Sequence, residues 1–289
     1  MDRTPSPITS TRNPHIVAAR KLNQRKHRER QGQFLVEGPK LLHMALDAGA
    51  RPVKVFYCPE QLAEDTAADG KHVRSGRAVT SLLARLGHRG AIHLAVSPNV
   101  MQALSQRDVS QGIVATFALF ETPLSALTLS GRELVIVLDR LQDPGNMGTL
   151  IRTADAVGAA AVVLIEPCVD PFDPKTVRGS MGSLFNVPLV RTTDAAALFA
   201  DLGKRGVRPI GTSAHEGRAW GEGILKGGTA LVLGNEAQGL SEDVSAQIEA
   251  WAHLPMVGKA ESLNVAVAGG VLMYAWLRAN RFAGDTAPP

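Results

Sequence analysis

The chain has 289 residues, 45% hydrophobic and 20% charged, with a formal net charge of +4. That balance belongs to a soluble globular protein long enough for two domains, each burying a core. It excludes a membrane protein, because no apolar run approaches the roughly 18 residues of a span.

The first residues, MDRTPSPITSTRNPH, lack the apolar segment of a secretory signal. Two distant cysteines, Cys58 and Cys168, read as free thiols in a reducing cytoplasm. The charge is uneven. Residues 1–30 carry eight Lys/Arg against Asp2 and Glu29, a net of +6, whereas the remaining 23 basic and 25 acidic side chains net −2. Such a basic stretch attracts phosphate backbones with salt-dependent affinity, or is a solvated face.

Residues 1–14 hold three prolines among Ser and Thr and are expected to be a disordered extension. From His15 to about Arg30 the pattern is a polar, basic helix. GQFLVEGPKLLHMALDAGA supplies a short strand and a helix from near Pro39, with Leu41, Leu42, Ala45 and Leu46 on one face. PVKVFYCP, AIHLAV and GIVATFAL are further strands, the last two separated by a helical NVMQALSQ. A small α/β domain is therefore expected over 15–121, with a linker over 122–131.

A second domain is expected over 132–283, followed by a tail over 284–289. Its strands are predicted at 134–139, 161–165, 187–191, 207–212, 229–233 and 251–255. Its helices are predicted at 147–158, 174–185, 194–205, 241–249 and 262–281. Apolar strands such as AVVLI and ALVLG, joined by helices, indicate a parallel sheet covered on both faces. Ligands bind such sheets at the carboxyl ends of the strands, so the loops after 139, 212, 233 and 255 share one crevice.

The common catalytic labels are absent. There is no G-x-G-x-x-G after the first strand of this domain, no G-x-x-x-x-G-K-[ST], no H-E-x-x-H, and no histidine cluster with metal-ligand spacing. No metal is expected. Three polar islands remain, each at a strand-to-helix junction.

In DPGNMGTLIR, Asn146 suits a helix cap. Arg152 lies off the core stripe of Met147, Leu150, Ile151, Ala154 and Val157, so it either pairs with Asp155 or is a cation held for function. In LVLGNEAQGLS, two glycines permit close approach of a ligand, and Glu236 pairs with an arginine, meets ligand or is solvated. In LPMVGKAESLNVAVAGG, Ser262 is a candidate N-cap. Gly269-Gly270 inside the helix that follows suggests a closely packed backbone, within the fold or across a dimer.

Together the islands resemble the signature of the SpoU branch of the SPOUT RNA methyltransferases. Asn146, Gly148 and Arg152 match N-x-G-x-x-x-R. Leu231–Leu240 match the L-x-x-G-N/S-E-x-x-G-[LM] segment, and Leu254–Val265 match I/L-P-M-x-G-x-x-x-S-L-N-V. Arg178, Ser180 and Gly182 match the connecting segment, and FLVEGPKLLHMAL with VMQALSQRDVSQGIVATF is similar to the family's N-terminal RNA substrate-binding domain.

The resemblance implies an α/β parallel-sheet catalytic domain with a C-terminal trefoil knot, preceded by a small α/β RNA-binding domain. It implies S-adenosylmethionine bound at Gly234, Leu254 and Leu263. Thr212 and Leu233, at the ends of two crevice strands, complete the expected cofactor set. It implies a cytoplasmic homodimer acting on RNA, with methyl transfer to a ribose 2′-hydroxyl, most simply of 23S ribosomal RNA. A transfer-RNA methyltransferase and a catalytically inactive RNA-binding protein of the same fold are the alternatives. Arg152 is expected to stabilise the developing alkoxide, with Asn146 and Glu236 fixing its fork and Ser262 with Asn264 holding the substrate phosphate or ribose.

Overall fold

Among the described residues six helices begin at a proline: Pro14, Pro39, Pro59, Pro98, Pro144 and Pro174. Proline is pre-set for the first helical position, where its missing N–H would be unpaired anyway. The computed structural model describes residues 6–64, 76–213, 217–220 and 223–281. In chain order the elements are α1 (Pro14–Lys21), α2 (Arg25–Gln31), β1 (Gln33–Glu37), α3 (Pro39–Asp47), β2 (Pro52–Tyr57), α4 (Pro59–Glu64), α5 (Gly76–His88), β3 (Ile92–Ala95), α6 (Pro98–Leu104) and β4 (Ile113–Ala118). They continue as β5 (Leu134–Asp139), α7 (Pro144–Ala156), β6 (Ala161–Ile165), α8 (Pro174–Gly179), β7 (Leu189–Thr192), α9 (Ala195–Lys204), β8 (Arg208–Ser213), β9 (Arg218–Ala219), β10 (Thr229–Leu233), α10 (Glu242–Ser245), β11 (Ala250–His253) and α11 (Val265–Arg281).

Two units result. The first comprises the chain up to Phe120 together with Phe172–Phe185. Its four-stranded sheet runs β1-β4-β2-β3, with β2 and β3 parallel and the other pairs antiparallel. Leu35, Phe56 and Val114 pack one face against Ile16, Ala19 and Leu22 of the N-terminal helix and its cap, and against Val100, Met101 and Leu104 of α6. The later segment adds Phe172 and Phe185 to a ring cluster with Phe34, Phe117 and Phe120, the closest centroids being Phe34 and Phe172 at 4.8 Å. Each buried ring contributes about 1.5–3 kcal/mol of hydrophobic stabilisation.

The basic N-terminal stretch is built into this unit. It forms two helices with a break after Leu22, where one was expected. Arg28 is turned inward and 2% exposed, donating to the Leu22 carbonyl at 2.8 Å. Arg20, Lys21, Lys26 and Arg30 are the exposed cations of α1 and α2. Residues 6–13, expected to be disordered, are ordered by main-chain pairing. Ile8 N–H donates to the Ala95 carbonyl (2.8 Å), and the Ile8 carbonyl accepts from Ser97 (3.0 Å). Residues 1–5 of that extension, and the expected tail 284–289, lie outside the described residues.

The second unit, Glu121–Pro171 with Asn186 onward, holds a seven-stranded sheet in the order β7-β6-β5-β10-β8-β11-β9, with every neighbouring pair parallel. Leu134–Asp139 and Thr229–Leu233 are buried along their whole length, as strands covered on both faces must be. From β5 the chain winds outward through β6 and β7, then returns to lay β10, β8 and β11 on the other side. The β5/β10 boundary is thus the topological switch point, where open parallel sheets form ligand crevices.

Several boundaries differ from expectation for local reasons. The helix expected at 174–185 stops at Gly179 and resumes as a 3₁₀ turn at Ser183–Phe185, because Met181 and Gly182 take positive φ (52° and 99°). The 241–249 helix is reduced to Glu242–Ser245. Helix α11 begins at Val265, since Asn264 caps it in place of Ser262. Gly269 lets α11 approach α7 and β10: a Cβ there would lie 2.7 Å from Leu150 Cδ2 and 2.8 Å from Leu233 Cδ1. Gly270 is less confined: a Cβ there would make only an ordinary contact with Thr153 Cγ2 at 3.9 Å.

Candidate active site

A cleft of about 320 Å³ opens at the carboxyl ends of β8, β10 and β11. All five residues expected to bind cofactor line it: Thr212, Leu233, Gly234, Leu254 and Leu263. Glu236, Ser262 and Asn264 stand on the same wall. Residues that the motifs did not single out for a role also contribute, among them Asn235, Met256 and Leu272. Met256 and Asn235 lie inside the matched segments, so the signal was there. Leu272 reaches the cleft only because Gly269 lets α11 settle, which sequence spacing does not show.

Gly234 serves its own loop. A Cβ on it would fall 2.4 Å from the Gly239 carbonyl carbon, so the missing side chain makes room for backbone and not for a ligand. Asn235 and Gly239 exchange two main-chain hydrogen bonds of 2.9 Å, closing a tight turn that presents Glu236.

Glu236 joins the first island. Its Oε1 accepts from Asn146 Nδ2 at 2.9 Å and from Asp143 N–H at 3.2 Å, and its Oε2 accepts from Gln142 N–H at 3.3 Å. Partial burial pulls this carboxyl upward, but the bonds from Asn146 and the backbone outweigh it and hold the group below the usual carboxylate range. Asn146 is not the cap expected of it. Asp143 caps α7, accepting from Asn146 N–H at 2.8 Å, because Pro144 occupies the first helical position and moves the cap back. The Asn146 side chain is thereby released toward Glu236 and Asn264.

Asn264 completes the row. Its Oδ1 accepts from Ala266 N–H (2.9 Å) and Val267 N–H (3.3 Å), and its Nδ2 donates to Asn146 Oδ1 at 3.0 Å. The polarity runs one way, from the N-terminus of α11 through Asn264 and Asn146 to the Glu236 carboxylate. Each amide keeps a second N–H for a ligand. Ser262 lines the cleft and makes no hydrogen bond among the described residues.

Arg152 stands apart. It is exposed on α7, six residues beyond Asn146 and on a different side of the helix, and it makes no hydrogen bond or ion pair among the described residues. The expectation that Asn146 and Glu236 hold its fork is not met, since those two side chains bind each other. The bland Asp155 pairing also fails, because Asp155 Oδ2 accepts from Asn186 at 3.0 Å. Of the connecting-segment residues, Ser180 is buried and donates to the Val177 carbonyl, while a Cβ on Gly182 would strike Met44 at 2.4 Å. Both are structural in the first unit.

Among the described residues no group of three or more His, Cys, Asp or Glu is placed to hold a metal. Cys58 and Cys168 are buried and form no disulfide, and burial pushes the Cys168 thiol up to about 12. No helix among the described residues is long and apolar enough to cross a membrane.

Residues 133–274 match the SpoU rRNA Methylase family, and residues 13–115 match the MRM3-like substrate binding domain. A 23S rRNA (guanosine(2553)-2′-O)-methyltransferase, RlmP of Bacillus subtilis (strain 168), is 31% identical over 267 residues, which is 92% of this chain and 97% of the relative. This chain belongs to the SpoU rRNA methylase family. An AdoMet-bound rRNA methyltransferase from Sinorhizobium meliloti superposes with a TM-score of 0.82 at 32% identity, covering 94% of this chain and 97% of that one. The SpoU methyltransferase AviRb from Streptomyces viridochromogenes, in complex with the cofactor AdoMet, superposes equally well (TM-score 0.82, 28% identity, 95% and 100% covered). The family's cofactor fits the lining of this cleft, where Leu233, Leu254 and Leu263 give apolar walls suited to an adenosyl group beside the polar Thr212 and Ser213.

Proposed function

We propose that this chain transfers a methyl group from S-adenosylmethionine to a ribose 2′-hydroxyl of 23S ribosomal RNA. The observation that carries the reading is the Glu236–Asn146–Asn264 row beside the leucine-lined cleft at the carboxyl ends of β8, β10 and β11. Full-length relatives with 23S rRNA substrates support the choice of RNA.

The bound cofactor supplies an electrophilic methyl on a sulfonium. The chain's own task is therefore alignment of an in-line attack and management of one proton. Leu233, Leu254 and Leu263 hold the adenosyl group, with Gly234 main chain and Thr212 beside them. The unused Ser262 hydroxyl and the spare N–H of Asn264 face the substrate. Arg152 stabilises the developing alkoxide; a guanidinium is a donor with no acceptor and a poor general base, so the hydroxyl proton leaves to a phosphate oxygen or water.

The same reading includes a homodimer. Asn146, Thr149 and Thr153 of α7 border a shallow groove with Val267, Val271 and Tyr274 of α11, and Val267 and Tyr274 are each 53% exposed. An apolar face of this kind calls for a partner, and Gly270 leaves room for one. The reading also includes a trefoil knot in the second unit, RNA contact by the first, and a cytoplasmic site of action.

The test is transfer of labelled methyl from S-adenosylmethionine to purified 23S rRNA and, separately, to transfer RNA, beside a calorimetric titration of the cofactor. Label confined to transfer RNA would replace the substrate named here.

A further inference from the structure

Three side chains, two of them buried, stitch the loop after β10 to the end of β5 and the loop that follows it. Asp139, fully buried, accepts from Ser241 N–H at 2.6 Å. Glu236 accepts from the N–H groups of Gln142 and Asp143. Between them Asn235, 7% exposed, donates through Nδ2 to the Arg140 carbonyl at 2.9 Å.

The orientation of the Asn235 amide is forced. Its Oδ1 accepts from Ala237 N–H (2.9 Å) and Gln238 N–H (3.0 Å), so the nitrogen has to face Arg140. Arg140 itself sits at φ 53°, the left-handed region that non-glycine residues rarely enter. The Asn235 bond holds that carbonyl where it is. The peptides that follow then point the Gln142 and Asp143 N–H groups at Glu236. Glu236 in turn orients Asn146.

We propose that Asn235 is a positioning residue for methyl transfer. Its side chain sets the Arg140–Asp143 turn so that Glu236 and Asn146 hold their places, while making no hydrogen bond to either of their side chains. This rests on the methyltransferase reading of the site. It differs from mere support of the cofactor loop, because that loop is closed by the Oδ1 bonds and the Asn235–Gly239 pairing, independently of Nδ2.

Asn235→Asp separates the two. Aspartate keeps the acceptor for Ala237 and Gln238 but sets an oxygen against the Arg140 carbonyl. Asn235→Ser makes the same separation without adding charge, since a hydroxyl can close the turn yet falls short of Arg140. In the full chain with S-adenosylmethionine, hydrogen exchange at Gln142 and Asp143 should rise about tenfold or more in both variants. Turnover should fall about tenfold, with cofactor Kd and RNA KM within about threefold of wild type. Unchanged exchange at those two amides would overturn the proposal. So would a loss of cofactor affinity in proportion to turnover, which would make Asn235 a pocket support. Raised exchange in the variants beside a wild-type protein that transfers no methyl would leave the brace standing and remove the methyltransferase reading.

Discussion

Asn264 Nδ2 lies 3.0 Å from Asn146 Oδ1, and the direction of that bond is set by a helix. Because Asn264 Oδ1 caps α11, its nitrogen must turn to Asn146. Asn146 must then present its own nitrogen to Glu236. One cap thus orders two amides and a carboxylate from three separate segments.

The cap and the relay can be separated by mutation. Asn264→Asp keeps the acceptor and adds a negative charge that the helix N-terminus favours, so melting temperature should hold or rise slightly. It removes the donor to Asn146, so methyl transfer should fall about tenfold or more. Asn264→Ala should cost activity and about 1 kcal/mol of stability. Thermal denaturation beside the transfer assay separates the two effects; an active Asn264→Asp protein would make the relay structural only.

Arg152 offers the opposite dissociation. It is exposed and unbonded among the described residues, so Arg152→Ala should change stability by no more than about 0.5 kcal/mol and leave cofactor affinity intact. Transfer should be abolished. Arg152→Lys keeps the charge and loses the planar fork, and wild-type turnover in that protein would contradict an alignment role.

Acid should silence the site late. The Glu236 carboxyl is held below its ordinary value, so its network is complete above the unfolded carboxylate range and is lost only as pH falls through the lowered folded value. The acidic limb of the kcat profile should therefore lie below the ordinary glutamate value of about 4.5. Glu236→Gln should remove that limb along with most of the activity. An acidic limb above the ordinary glutamate value that survives in Glu236→Gln would assign it to another group.

The adjacent glycines of α11 should answer differently to alanine. Gly269→Ala places a methyl within 2.8 Å of Leu150 and Leu233, and overpacking of this kind costs about 1–3 kcal/mol. Gly270→Ala meets nothing closer than 3.9 Å, so helix propensity should dominate and stabilise by about 0.5–1 kcal/mol. Urea denaturation of the two proteins checks the order.

The exposed cations of α1 and α2 carry a further contrast. Replacing Arg20, Lys21, Lys26 and Arg30 together with Gln should reduce the salt slope of RNA binding by about 3 to 4, close to one for each phosphate pairing removed, and leave cofactor affinity alone. Deleting residues 1–30 would be uninformative, because Ile16, Ala19, Leu22 and Arg28 belong to the core of the first unit.

Strand positions were legible because buried parallel strands are unbroken apolar runs; Leu134–Asp139, Ala161–Ile165 and Thr229–Leu233 stand where periodicity set them. Caps were less so. Asn146 and Ser262 are both good capping types, yet the caps are Asp143 and Asn264, and only the proline at 144 hinted at the first. The membership of 172–185 in the first unit depends on Phe172 and Phe185 meeting Phe34, a long-range contact with no local signature. The cleft was found through motif residues that converge in space. The partners of those residues were not, because hydrogen bonds between segments some ninety residues apart leave no spacing to read.

The most direct test is to label 23S rRNA with methyl from S-adenosylmethionine, hydrolyse it with alkali, and map the surviving linkages for wild type and Arg152→Ala. Ribose 2′-O-methylation protects the adjoining phosphodiester, so the label should sit in one alkali-resistant dinucleotide with the wild-type protein and be absent with the variant. Label released in alkali-labile nucleotides would mean a base is methylated, and would contradict the account.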